Sequence, residues 1–544
     1  MKKIITILFI IALFGTTGCK DWLDINQNPN NASKATVTMA LLLPSCQFYM
    51  INNHINTSYA HQISQHMTKS GEYSGNYPIL NGQIMPQNMD DWWGTYYTTN
   101  SDLLTIYEKA SEANDNAYKG IALTLFSINS QRLVDIFGNI PYFQAWKPLE
   151  FPTPEYDSDK LIYEDLVKKI NEAITSLEAA VTSNYDASAL AKVDIMCKGD
   201  LSKWVKMAYT IKLRILMRMS FVNDVSSQVT AIVDKCININ DNIEANPGFY
   251  VETDKMHLFY EIYGWDKNGD ENSNHRQFMP TSALVDMLRD NDDPRLRVFC
   301  DPRKTLGNPS YGADYEKFGL GDEYYIGIPY GQADPPGRYY TCWTGTGILA
   351  GSSDKKKGCI RNSTFITGAE VGFFLSEAAL RGIIPGGDAK AKEYYEKAVI
   401  SSMKRHEAGM QDINYGFEGE APAITGTAEE AAKRYLSQPN SFSNWDLMGS
   451  NEKKMEAIGS QKWLNYFGYN PLEAWFEQRR TDTPKLKASN QGMESKNICR
   501  APYPQTEMNQ NSANYNKQPA IDIYNSRVFW DTKNEIVEKT ELYF

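Results

Sequence analysis

The chain has 544 residues, enough to bury a large core, and its 42% hydrophobic and 22% charged residues are an ordinary soluble composition. Its formal charge is -11, from 55 Lys and Arg against 66 Asp and Glu. A surface of that sign repels phosphate backbones and argues against nucleic acid as a partner. Beyond the first 18 residues no apolar run reaches the ~20 residues that cross a bilayer.

The N-terminus has three zones. Lys2 and Lys3 give a positive start, Ile4 to Phe14 are almost all apolar, and Thr16-Thr17-Gly18 leads to Cys19. This is the pattern of a secretory leader. A cysteine directly after Gly18 reads as a bacterial lipoprotein signal, in which residues 1–18 are removed and Cys19 is acylated. Thr16 stands where Leu is usual, and the competing reading is an ordinary signal peptide with a chance cysteine. Cleavage would make the chain more negative by two charges. Several acyl chains on one residue anchor stably, whereas one holds weakly. Residues 19–35, with Asn28, Pro29, Asn30 and Asn31, read as a lipid-anchored tether. Residues 36–544 are expected to form one domain.

Ala40 to Met67 reads as mostly helical, and Ser70 to Met89 as an excursion loop rich in Gly, Asn, Tyr and Pro. Helical apolar spacing then runs over Asp91–Ala113 and Tyr118–Phe137, ending at the turn Phe137-Gly138-Asn139-Ile140-Pro141. Asp157 or Ser158 is placed to cap a third helix, whose apolar face includes Leu161, Ile162, Leu166, Ile170, Ile174, Leu177 and Val181; Leu201–Phe221 gives a fourth. Residues 240–365 lose this rhythm and predict loops with a few short strands and helices. Helices return at Thr367–Arg381, Ala389–Arg405, Ala428–Tyr435, Glu452–Phe467 and Asn470–Arg480, where Asn470 caps before Pro471. Residues 481–544 read as irregular. The fold class is mainly α: helix pairs of tetratricopeptide length over about 36–235 and 366–480, split by a loop-rich insert at about 240–365.

Little in the sequence favours catalysis. No G-x-S-x-G or H-E-x-x-H motif is present, and chance pairs among 66 acids give no support to glycoside hydrolysis. Gly345–Ala350 is only loosely like a dinucleotide loop and reads as a plain loop. His54, His61 and His66 are better read as core or surface histidines than as metal ligands. Asp266, Asn268 and Asp270 begin like a calcium loop, but Glu271 replaces the Gly and Gln277 the Glu. No metal and no cofactor is therefore expected. The seven cysteines after Cys19 are sparse, lack C-x-x-C spacing, and default to buried thiols. Trp93, Trp463 and Trp475 read as core, and Arg479, Arg480 and Arg500 as buried partners of acids.

Binding has better candidates. Aromatic residues make up 12% of the chain, with 33 Tyr and 11 Trp. Ring faces cover the C–H faces of sugars, and Asp, Asn or Arg take up hydroxyls. The aromatics in loops are Tyr73, Tyr77, Trp92, Tyr263, Trp265, Tyr330, Tyr339, Tyr340 and Trp343, with Asp266, Asn272, Asn274 and Arg338 as nearby hydrogen-bonding groups. Any one of these aromatics taken singly is better read as packing; as a group, at least two are expected to touch ligand.

A set of ordered motifs resembles the SusD/RagB family of outer-membrane nutrient-binding lipoproteins. They are Cys19 with Trp22-Leu23-Asp24-Ile25-Asn26; Trp93, Tyr97 and Asn100; Asp135 to Tyr142 with Ala145; and Asp293-Pro294-Arg295-Leu296. Further on come Glu370, Ser376 to Gly382, Gln461-Lys462-Trp463, Glu473 to Arg480, and finally Arg500, Pro502-Tyr503-Pro504, Glu507 and Asn511. The resemblance implies four tetratricopeptide-like pairs with an irregular ligand-binding half. It also implies a lid-like role over a SusC-like TonB-dependent transporter, at the cell surface of the outer membrane. The function expected on this basis is capture of oligosaccharides without cleavage. Peptide ligands on the same scaffold are the alternative, and a lipid-anchored glycoside hydrolase is a more distant one.

Overall fold

The computed structural model describes residues 37–55, 58–71, 77–301, 325–333, 340–343, 356–408, 426–533 and 536–541. The leader, Cys19 and the tether, Tyr73, Arg338, Tyr339 and the Gly345–Ala350 loop lie outside them, as do the side chains of His54 and Trp343. No helix among the described residues is long and apolar enough to cross a membrane.

Helix α1 spans Met39–Ile55. A short helix Ser58–Ile63 follows, and then a strand, β1, Met67–Lys69. The helix expected to run to Met67 stops early because Gln65 takes a left-handed φ of 60° and turns the chain into β1. Four long helices come next: α2 Asp90–Glu112, α3 Asn116–Phe137, α4 Asp159–Thr182 and α5 Leu201–Met219. Three begin at a side-chain cap. Asp115 accepts from the Tyr118 amide, Ser158 from Leu161 and Asp200 from Lys203. Each packs on the next in sequence. Covered by both α2 and α4, α3 is buried nearly all round. Leu161 and Val181, expected on the apolar face of α4, are instead exposed at its two ends.

The second set is α6 Gly368–Leu380, α7 Gly387–Arg405, α8 Ala428–Leu436, α9 Asn451–Tyr466 and α10 Pro471–Thr481. Asn470 caps α10, with Pro471 at its first position. α6 packs against α5, α7 and α9, so it joins the two sets. The architecture is mainly α, built of tetratricopeptide-like helix pairs. Between the sets, β2 Asn242–Ala245 pairs antiparallel with β4 Ser363–Thr367, and β1 pairs antiparallel with β3 Phe278–Pro280.

The family-like motifs turn out to be internal bracing. Arg214 grips Glu370 through two hydrogen bonds of 2.7 and 2.9 Å. Arg480 grips Glu377 at 2.7 and 2.5 Å and also bonds Glu477. Arg218 bonds Glu473, lies 3.4 Å from Asp135 and 2.9 Å from Glu477; Lys462 bonds Glu477 at 2.7 Å. Arg132, 3.7 Å from Glu473, completes a set in which buried cations and carboxylates balance. Buried charges need such pairing because desolvation is otherwise too costly.

The Phe137–Tyr142 turn is held from the far end of the chain. Gly138 sits at φ +72°, and a Cβ there would lie 2.7 Å from the Arg500 guanidinium carbon. Arg500 donates to the Phe137 carbonyl and to the Tyr503 hydroxyl, and that hydroxyl donates to the Asn139 carbonyl, each at 2.7 Å. Arg479 donates to the carbonyls of Cys499 and Asp135. The expectation of acid partners therefore holds for Arg480, whereas Arg479 and Arg500 are satisfied by backbone carbonyls. Trp93, Trp463 and Trp475 are core. His61 lies against the rings of Phe259 and Tyr263, and His66 against Trp463, both buried. Cys46, Cys197, Cys236 and Cys499 are buried free thiols.

Candidate ligand-binding face

The loop-rich half is organised on the β1–β3 pair, with Met67 opposite Pro280 and Lys69 opposite Phe278. Leading into β3, the chain makes a short helix, Leu258–Tyr263, a tight turn and a second short helix, Ser273–Gln277. Asp266 closes the turn by accepting from the backbone amides of Asn268 and Asp270, at 2.8 and 2.9 Å, with Trp265 bridged to Glu271. Those amide bonds hold its carboxyl below the usual carboxylate range. Asn272 caps the second helix and donates to the Glu261 carbonyl at 2.6 Å. The strand Cys342–Trp343 packs beside this helix and β3, and pairs with Cys300–Asp301.

Tyr77 lies on this face. Its ring is half-buried, 6.2 Å from the Phe278 ring, with the Lys69 ammonium 4.6 Å from its centroid and its hydroxyl accepting from Gln277 at 2.8 Å. Arg276, next to Gln277 in the chain, forms an ion pair of 2.7 Å with Glu271. Strand β1 with Tyr77, residues 263–280 and residues 340–343 thus meet here. They offer a ring, amides and an ion pair, which suit stacking and hydrogen bonding to a polar ligand.

Several expected ligand residues serve packing instead. Tyr263 is 1% exposed, Trp265 4%, Tyr340 2% and Tyr330 5%. Trp265 stacks on His275, whose Nδ1 lies 2.8 Å from the Tyr263 carbonyl, so these rings consolidate the turn and present no open platform. Asp266 and Asn272 are committed to backbone capping. Trp92 stands elsewhere, half-buried on the first turn of α2 against the core. Trp343 is placed on this face by its backbone. Lys69, Gln277 and Arg276 were not anticipated as members. Lys69 is near Tyr77 in sequence, whereas Gln277, with Arg276 beside it in the chain, reaches this face by strand pairing across some two hundred positions, for which single-sequence patterning carries no signal.

Against known proteins, the family model SusD-like_2, described as starch-binding and associating with the outer membrane, matches residues 29–504. No curated protein matches the chain. Among solved structures, a chitin-binding protein is 24% identical, with a TM-score of 0.65 over 92% of this chain and 100% of that one. A SusD-like protein from Bacteroides thetaiotaomicron is 21% identical, with a TM-score of 0.69 over 92% and 100%. A chitin-binding SusD homologue from Flavobacterium johnsoniae is 20% identical, with a TM-score of 0.66 over 90% and 98%.

Proposed function

The chain belongs to the SusD-like_2 family, and on that premise we propose that it is a cell-surface lipoprotein that captures oligosaccharides and passes them to a TonB-dependent outer-membrane transporter. The family match over most of the chain is the observation that carries this reading. The chitin-binding relatives and the family's starch-binding description favour a neutral glucan or chitin-type oligosaccharide. Acylated Cys19 would hold the body at the membrane, with the tether of residues 19–35 as its leash. The role is binding without cleavage. Tyr77, Gln277 and the strand bearing Trp343 are the ligand contacts we assign, with Trp92 as a separate one.

Isothermal titration with maltooligosaccharides and chitooligosaccharides tests this. Binding of one series is expected, with no new reducing ends on prolonged incubation. Tyr77→Ala should weaken it about tenfold, or 1.4 kcal/mol, while the thermal midpoint moves little. Binding of peptides and of no glycan would transfer the scaffold to peptide capture; release of reducing ends would make it a hydrolase.

A further inference from the structure

The first long helix has an apolar face that nothing described covers. Helix α1 holds no Asp, Glu, Lys or Arg in its 17 residues. Its inner side, with Leu43, Cys46, Met50 and Ile51, is buried, and α1 packs along α2. Its outer side is apolar too: Leu41 is 67% exposed, Tyr49 51% and Phe48 38%. A helix that is apolar all round is normally covered all round. Among the described residues, α1 meets that condition on one side only.

Beside this face a groove of about 360 Å³ runs between α1 and the first turns of α2, with Cys46 and Tyr49 on one wall and Asp91, Gly94 and Thr98 on the other. Glycine is a poor helix former. A Cβ on Gly94 would meet nothing within 4 Å, so no contact among the described residues requires a glycine there. Its missing side chain keeps the groove open. Asp90, also in the wall, is engaged by the amide and the hydroxyl of Thr506, both at 2.9 Å. Asp91 stands exposed at the rim. Among the described residues no Lys, Arg or His lines the groove.

We propose that this groove and the outer face of α1 are the seat of the chain's own residues Trp22 to Ile25. Residues 20–36 lead directly into α1, so this segment is the nearest occupant. Residues 26–36 reach up to about 35 Å when extended, whereas α1 runs only about 15 Å from Met39 to Tyr49. Trp22 can therefore fold back as far as Tyr49. Trp22, Leu23 and Ile25 bring apolar surface, and Lys34 brings a cation that suits Asp91. Asp21 and Asp24 stay on the solvent side. A short linker gives an effective concentration on the order of 1 mM, so a segment that would bind at ~0.1 mM as a free peptide is docked about nine-tenths of the time. A lipid surface suits the site less well, because it cannot enter a groove with carboxylates at its rim. With Trp22 seated, only Lys20 and Asp21 separate Cys19 from the folded body, which shortens the leash and fixes which side faces the membrane. That consequence rests on the anchor reading above; the docking does not.

Hydrogen exchange of the mature chain, residues 19–544, followed by mass spectrometry, tests this against a synthetic peptide of residues 20–36. The amides of residues 22–26 should exchange about tenfold more slowly in the chain than in the peptide. Gly94→Leu fills the groove and should return them to the peptide rate, while the thermal midpoint holds because the new side chain enters open space and favours the helix. Trp22→Ala changes no residue of either helix and should do the same, which decides the matter if Gly94→Leu fails to fold. Peptide-rate exchange in the unaltered chain, or protection that survives Trp22→Ala, would overturn the proposal. So would protection that appears only with added phosphatidylethanolamine vesicles, or only as protein concentration is raised; these would assign the face to lipid and to a second copy. The mass of Cys19 in protein from cells reports acylation separately, so failure of the anchor and failure of the docking are told apart.

Discussion

Two buried carboxyl groups keep their protons to higher pH than an unfolded chain would. Burial pushes Asp135 up from 3.8 to about 6, against Arg218 and the hydrogen bond from Tyr163. Burial likewise pushes Asp531 up to about 7, against Arg479 and Arg527. A group whose pKa is raised on folding gives stability that is fully present below the unfolded pKa and is lost as pH rises through the folded one. Glu377 and Glu477 act in the opposite sense: burial raises them, but Arg480 and Lys462 overcome it and hold both below the usual range, so their contribution is lost on strong acidification. The thermal midpoint should therefore peak near pH 5 and fall toward pH 8. Asp531 Oδ1 has no hydrogen-bond partner, so Asp531→Asn loses little and should raise the pH 8 midpoint by about 2 °C while flattening the alkaline slope. Scanning calorimetry of both proteins at pH 5, 6.5 and 8 checks this, and an unchanged slope in the variant would refute it.

At the level of elements, the informative case is the turn after α3. Its glycine has a left-handed φ and Arg500 packed where a side chain would go. Gly138→Ala combines backbone strain with a steric clash and should cost about 2 kcal/mol, read as a lowered midpoint in urea with an unchanged slope. A neutral result would mean that the Arg500 clamp is loose. The helices were legible because apolar spacing, capping residues and Pro471 act within a few positions of one another. What was illegible required partners from afar. Leu161 and Val181 kept the apolar spacing of α4 and yet found nothing to cover them. Arg500 and Arg479 looked like partners for acids, but the available acceptors were carbonyls at the ends of α3 and in the C-terminal segment. The rings of Tyr263 and Trp265 carried the composition of a binding loop, but tight turns need their own small core, and these rings supply it; Tyr340 is buried with its hydroxyl on Gln332.

Across the whole molecule, the buried charges do what a purely apolar core would do less selectively: they fix which helix meets which. Arg480 on α10 is matched to Glu377 on α6, which ties together two helices that are not direct packing neighbours. Arg480→Met should destabilise the protein by about 3 kcal/mol, and adding Glu377→Leu should recover only a small part of that loss, because Glu377 keeps Arg381 at 2.7 Å and Lys462 at 3.5 Å, and these cations lose it in turn. Equilibrium denaturation of the single and double variants measures both; a double variant weaker than the single would show that the pair contributes more than alignment. The Arg500 clamp has one more effect. It joins residues 363 positions apart, so the loop it closes is among the last to be won from the entropy of a growing polymer. A nascent chain lacking its final forty-odd residues has nothing to lock the bend behind α3. That bend is therefore fixed only once nearly the whole polypeptide has been made.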